Sequence, residues 1–469
     1  MTPAFPGMSL AVLVLVGVGM PALLLAVLGV ASLLNRPLSE RWTGRLAGSA
    51  MTISCAVLIV AFVAFGVAQQ GTRMISYGAW SASHEGGIAI EFLVDRLSLA
   101  FAVLSTAIAG VVSAFSNRYL HREAGYNRYF VLFAMFVTGM LLVALAGNVA
   151  VLFIGWEFVG LSSALLVAFF QERPAAVSNA FRVLSVYRIS DAAMLSAAVL
   201  LRHVAGTDSL SLLFGGAAAT AGLPAADATI IAILLIVAVA GKSALLPFSS
   251  WLPRAMEGPT PSSAVYYGSL SIHAGCFLLL RSAPLLERAP AARVLAGGLG
   301  AATALFAGTA ARVQSDVKSS LAYASLTQVG IIVVEIAVGW YTLAFIHLAG
   351  HACFRLLQFL SAPNVLHDLH GLEDAIGQHP SPHRGRSRGL RTDRARRLLF
   401  LVALERGFLD VALDRFVVEP FIRMAGLLTR VDRWLCLQAV DHAAAGADVV
   451  MPGRLRAADA AGDGGDQDD

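Results

Sequence analysis

Ile230-Ile-Ala-Ile-Leu-Leu-Ile-Val-Ala-Val-Ala-Gly-Lys-Ser-Ala-Leu-Leu-Pro247 is an apolar run interrupted by one charge, Lys242. About 20 apolar residues carry a helix across the roughly 30 Å hydrocarbon core of a bilayer, and this run is close to that length. Pro247 has no N–H, so a backbone bond near Ser243 is missing and the helix is expected to break beside the lysine. Backbone that leaves the helix at membrane depth survives only where protein or a cavity covers it. A lysine at such a break is desolvated and able to give up its proton.

Working outward, 57% of the 469 residues are hydrophobic and only 14% are charged. Mean hydropathy is +0.72. A soluble domain carries about 25% charged residues, so the chain is placed in the bilayer. The net charge of +4 comes from arginines between apolar runs and in the tail, with no RNA- or DNA-binding signature, so no nucleic acid partner is expected. Cys55, Cys276, Cys353 and Cys436 form no CxxC pair and are read as packing residues. Two lysines, Lys242 and Lys318, stand against thirty-two arginines. Arginine cannot deprotonate at ordinary pH, whereas a buried lysine can titrate.

Eleven spans are expected: 8–34, 46–70, 92–116, 128–147, 149–170, 186–204, 226–247, 258–282, 293–311, 319–339 and 341–362. The first lacks a basic n-region and is expected to be retained as a helix. Segment 208–224 reads as loop. Arg36, Arg41, Arg45, Arg118, Arg122, Arg128, Arg173, Arg182, Arg312 and Lys318 fall on one side if the spans alternate, as does the arginine-rich stretch 382–397. That side is cytoplasmic by the positive-inside rule, giving an external N-terminus and a cytoplasmic C-terminus. Arg281, Arg288 and Arg293 are exceptions on the sparse side. Beyond 363, a basic surface loop is expected over 367–397, amphipathic cytoplasmic helices over 398–434 and a disordered tail over 457–469.

Ionisable residues inside spans cost about 2.5–3.5 kcal/mol each on insertion scales and are functional by default. The plain alternative is an ion pair that holds helices together. Glu157 lies between Gly155 and Gly160, which permit close helix approach or unwinding. A charged Lys242 close to Glu157 would form a switchable pair. Gly258, Pro259 and Pro261 mark a second break before the eighth span, followed by Tyr266, Tyr267 and His273. His347, His351 and Arg355 recur at i, i+4 and i+8 and so share one helix face. Two His at i, i+4 could bind zinc, but a third acidic ligand is missing, and a proton relay fits the pattern better. Glu335 lies late in the tenth span. Arg188 and Asp191, at i, i+3, fit an ion pair near a helix end as well as a functional site.

These residues also carry a resemblance. Gly155-Trp-Glu-Phe-Val-Gly160, Arg188-Ile-Ser-Asp191, Gly241-Lys-Ser-Ala, Trp251-Leu with Ala255-Met-Glu-Gly-Pro-Thr-Pro261, Asp316-Val-Lys-Ser-Ser-Leu-Ala-Tyr-Ala-Ser325 with Gln328-Val-Gly330, and 347–355 resemble the antiporter-like subunits of complex I and of multi-subunit cation/proton antiporters. The resemblance spans 92–368. It implies an all-α polytopic fold of two inverted five-helix repeats with broken helices. It also implies Glu157 and Lys242 as a coupled pair, with His347 and His351 on the central axis. Three positions depart from the complex I pattern: Tyr267 replaces a His, Arg355 replaces a Lys, and Glu335 is extra. The spans also end near 362, where complex I relatives continue.

Within that superfamily, Thr327-Gln-Val-Gly-Ile-Ile-Val-Val-Glu335, 352–363, Leu366-His-Asp368, Leu404-Glu-Arg-Gly-Phe-Leu-Asp410 and Asp414-Arg-Phe-Val-Val-Glu-Pro420 resemble the DabB family of membrane subunits from bacterial inorganic-carbon complexes. This implies a transporter subunit of the bacterial inner membrane, not itself an enzyme. It would carry protons (or sodium) to power CO2 hydration by a cytoplasmic DabA-like partner. That partner would hold the zinc, and no cofactor is expected in this chain. The alternative is a proton-pumping subunit of a complex I, hydrogenase or Mrp-type assembly. A third reading, a membrane anchor with structural ion pairs, is disfavoured by the break at Lys242.

Overall fold

The protein is described by a computed structural model covering residues 9–68, 71–79, 89–206, 209–210, 222–314, 316–376, 400–404 and 409–448. Among these residues, eleven helices are long and apolar enough to cross a membrane. They are α1 (Leu10–Leu33), α2 (Glu40–Val67), α3 (Arg96–Tyr119), α4 (Tyr126–Leu145), α5 (Val149–Val167) and α6 (Pro174–Ala205). Then come α7 (Ala225–Lys242), α8 (Thr260–Arg281), α9 (Pro290–Ala310), α10 (Val317–Val338) and α11 (Tyr341–Ile376). Large apolar side chains stay exposed on the outer helices, such as Leu23, Val199, Leu305 and Ile346. In water that would be a liability; in a multi-pass membrane protein those faces meet lipid.

Several boundaries differ from expectation, each for a local reason. Segment 71–90, read as a loop, contributes to an antiparallel pair, β1 (Arg73–Ala79) with β2 (Ala89–Val94), so among the described residues the fold is helical with one small sheet. Tyr77 and Phe92 meet edge-on across it, and the Tyr77 hydroxyl donates to the Ala11 carbonyl at 2.5 Å. The third span therefore starts at Arg96, capped by a reciprocal Asp95–Ser98 box. The sixth span starts at Pro174, a favoured first position, so Arg182 is a buried helical residue and not a loop charge. The eleventh span keeps its expected bounds, Tyr341–Ala362, and its helix continues through 376, so the expected loop from 367 begins as helix. Residues 211–221, 377–399 and 457–469 lie outside the described residues.

The three exceptional arginines are tied down. Arg281 pairs with Asp95, Arg288 donates to the Leu223 carbonyl, and Arg293 donates to the Ala337 and Val338 carbonyls at the end of α10. Cations that satisfy helix C-termini and a capping carboxylate serve the fold locally.

The chain divides into two units, Met1–Asp414 and Arg415–Asp469. In the second, α13 (Glu419–Asp448) exposes Met424, Leu427, Leu428 and Val431 at helical spacing, which is the expected amphipathic pattern. A shorter helix, α12 (Leu409–Leu413), closes the first unit.

Candidate functional site

The break forms where the sequence places it, beside the lysine: α7 stops at Lys242. The last carbonyls of a helix need partners, and those of residues 238–241 find one. The Ser190 hydroxyl donates to Ala238 O at 2.5 Å, Ser243 N–H to Val239 O at 2.7 Å, and Leu245 N–H to Ala240 O at 2.9 Å. Gly241 O accepts from the Trp251 indole at 3.0 Å. Ala244 then takes φ 55°, the left-handed region that alanine disfavours by about 1–2 kcal/mol. Two bonds hold this opened backbone: Leu246 N–H to the Thr303 hydroxyl at 3.0 Å, and the Ser243 hydroxyl to Ile272 O at 2.6 Å. The second ties the break to α8, next to His273.

Lys242 is 0% exposed. Its Nζ donates to Trp156 O at 3.1 Å and lies over the Tyr187 and Trp156 rings, 4.2 and 4.9 Å from their centroids. Such ring faces attract an ammonium by about 2 kcal/mol or more when desolvated. A Cβ on Gly160 would stand 2.7 Å from Nζ, so this glycine makes room for the ammonium. At Gly155 a Cβ would stand 2.8 Å from Gly139 O. Both glycines therefore serve close approach, and α5 runs unbroken through them.

The expected Glu157–Lys242 contact is not direct. The nearest carboxylate to Lys242 is Asp191, with Nζ and Oδ1 4.0 Å apart. Glu157 instead accepts from Arg188 at 2.6 Å, and the same Arg188 nitrogen is 2.8 Å from Asp191 Oδ2. Glu157, Arg188, Asp191 and Lys242 thus form one alternating chain of two anions and two cations across α5, α6 and α7. At an effective dielectric of about 20, opposite charges 4 Å apart attract by about 4 kcal/mol, so the charge on Lys242 depends on Asp191 staying close. The side chains of Arg188 and Glu157 are 40% and 25% exposed against 5% for Asp191, so the exposed end of the chain is the Glu157–Arg188 end.

A second cluster joins α8, α10 and α11. His273 Nε2 and His351 Nδ1 are 2.9 Å apart, and Arg355 Nε donates to His351 Nε2 at 3.1 Å. Arg355 also donates to Gln358 Oε1 at 2.5 Å. One turn away, His347 Nδ1 is 3.0 and 3.1 Å from the two Glu335 oxygens, and its Nε2 is 3.1 Å from Gln328 Oε1. His347 is thus held between Glu335 and Gln328, one partner at each ring nitrogen. Both ring nitrogens of His347 and His351 face protein partners, and among the described residues no group of three His, Cys, Asp or Glu could hold a metal.

Pro259 and Pro261 open α8 after a short 3-10 turn, Ala255–Glu257, which ends at Gly258. A π-helical segment, Ser263–Ser269, follows. Such widened turns recur at functional positions. Tyr267 lies in it, and its hydroxyl donates to Ser163 O at 3.1 Å. Tyr267 is buried among rings, 5.7 Å from Trp251, and makes no bond to the histidines. Trp156, Tyr187 and Gln328 are contributors that residue reading passed over. Tyr187 adjoins Arg188 in sequence, and Gln328 and Glu335 stand two turns apart on α10, so both signals were present.

A family model described as NADH:quinone oxidoreductase/Mrp antiporter, TM, matches 146–378. Another, described as NADH-Ubiquinone oxidoreductase (complex I), chain 5 N-terminus, matches 80–130. NADH-quinone oxidoreductase subunit L of Rhodobacter capsulatus is 32% identical over 336 residues, which cover 69% of this chain and 47% of that protein. NADH-ubiquinone oxidoreductase chain 5 of Allomyces macrogynus is 35% identical over 289 residues, 60% of this chain and 44% of that one. The chain spans about half the length of the curated relatives it matches. The structure of the Mrp complex from Dietzia sp. DQ12-45-1b aligns with TM-score 0.63 and 29% identity, covering 75% of this chain and 37% of that one. A chain of the membrane-bound sulfane sulfur reductase, an archaeal respiratory membrane complex, shares the fold with TM-score 0.65 at 19% identity, covering 75% and 70%. The chain belongs to the family of antiporter-like membrane subunits shared by complex I and Mrp-type assemblies.

Proposed function

We propose that this chain is the proton-conducting subunit of a multi-subunit membrane assembly of the complex I/Mrp kind. The observation that carries the reading is Lys242, fully buried at the end of an interrupted helix and linked through Asp191 and Arg188 to Glu157. Such an arrangement can take up and release a proton as the spacing of its charges changes. Lys, His, Glu and Asp suit protons better than sodium. Collapsing the proton gradient and the sodium gradient separately in energised vesicles tests the ion. Loss of transport with the first and not the second is expected; the reverse result would replace the proton by sodium.

A second reading narrows the first to an inorganic-carbon pump whose cytoplasmic, DabA-like zinc partner hydrates CO2. Glu335 favours it, since the motif behind that resemblance ends on this residue and Glu335 here bonds to His347. Affinity purification of the full chain followed by metal analysis decides it. A co-purifying zinc protein with CO2-dependent growth supports this reading; quinone or iron–sulfur neighbours would defeat it. Either reading keeps the external N-terminus and cytoplasmic C-terminus, which reporter fusions at residues 5 and 465 would check.

A further inference from the structure

The hydrogen bonds around His351 have a fixed polarity. Arginine only donates, so Arg355 Nε–H must point at His351 Nε2, and that nitrogen carries no proton. Neutral His351 then carries its proton on Nδ1 and donates it to His273 Nε2. His273 in turn holds its own proton on Nδ1. All three groups therefore point one way, from Arg355 through His351 to His273. A proton can enter this wire only at His351 Nε2, the atom that Arg355 covers. Arg355 cannot itself supply one, because it does not deprotonate.

The neighbour able to supply a proton is His347, held between Glu335 and Gln328 one turn away, with ring centroids of His347 and His351 6.4 Å apart. That gap suits transfer through one water. Arg355 is held in place at its other end by Gln358, whose side chain is only half-buried.

We propose that Arg355 is the gate of a His351–His273 proton wire. Its guanidinium plugs the entry nitrogen, and protons pass from the Glu335–His347 pair toward His273 only when it swings aside. With the gate open, His351 Nε2 accepts the proton that His347 gives up, and the His351 Nδ1 proton passes to His273 Nε2. One proton leaves His347 and one arrives on His273, which holds it as an imidazolium. The inference rests on the proton-conducting reading of the same site and adds the gate and the direction.

The test uses the full chain in proteoliposomes with an internal pH dye and a potassium diffusion potential. Arg355→Met should raise passive proton entry on the order of 100-fold, the lower end of what one positioned proton carrier contributes. Adding His351→Phe to Arg355→Met should return entry to the wild-type level. Gln358→Leu, which only loosens the gate, should give a smaller leak and guards against misfolding of the arginine variant. Unchanged entry in both single variants, or a leak that survives His351→Phe, would overturn the gate. Lys242→Ala in energised membranes separates the two ideas. If driven transport is lost there while the Arg355 variants do not leak, the conducting reading stands and the gate falls. If driven transport persists there while Arg355→Met leaks through His351, the gate stands and the Lys242 reading falls.

Discussion

The end of α7 and the inner face of α11 both bury cations, but they hold them by different means. At α7, Lys242 belongs to a chain of full charges contributed by three helices, and its state depends on distances of a few ångströms to carboxylates. On α11, Arg355 bonds a neutral imidazole and an amide, and the geometry is set by which nitrogen donates. Coulomb attraction changes gradually with distance, whereas a hydrogen-bonded wire is connected or blocked. The first region can therefore respond to remote movement, and the second can gate.

Breaking the ionic chain should have the largest effect. Asp191→Asn removes the nearest carboxylate of Lys242 and leaves both cations under-paired, so driven proton movement should fall by roughly 100-fold, in the range of losing one proton-transfer group. Transport assays in energised vesicles check this. Glu157→Gln should be the milder of the two, because Arg188 keeps Asp191; more activity with Asp191→Asn than with Glu157→Gln would restore Glu157 as the closer functional partner. Gly160→Ala comes next, since its methyl would displace the ammonium. It should cost about 1–3 kcal/mol of stability by overpacking, and transport with it, measurable by thermal unfolding in detergent. Glu335→Gln should slow but not abolish transport, because His347 keeps Gln328 and exchanges a carboxylate partner for an amide; full wild-type rates would remove Glu335 from the path. Smallest of all, Tyr267→Phe should cost about 0.5–1.5 kcal/mol, one hydrogen bond to Ser163 O, with transport close to wild type.

Much of the scaffold was legible because hydrocarbon thickness fixes span length and proline fixes the break. Spacing on a single helix was equally legible: His347, His351 and Arg355 do share a face, and Gln328 with Glu335 could have been found the same way. Contacts between helices were not. Glu157 and Lys242 sit on α5 and α7, and only the packing of α6 between them shows that Arg188 and Asp191 carry the link. The β1–β2 pair was missed because its alternating residues, Met74 to Tyr77, lie in a stretch too short and polar to be weighed as a span. Pro247 marked the break beside Lys242, where α7 ends, but the side chains of Ser190 and Trp251 that satisfy its last carbonyls come from other elements and were not legible.

Lys242→Met offers the most direct test, since methionine keeps the length of the side chain beside Gly160 and removes only the proton and charge. Driven proton movement should vanish in vesicles where the variant inserts and assembles at wild-type levels. Wild-type proton movement in that variant would contradict the claim that Lys242 is the proton-carrying switch.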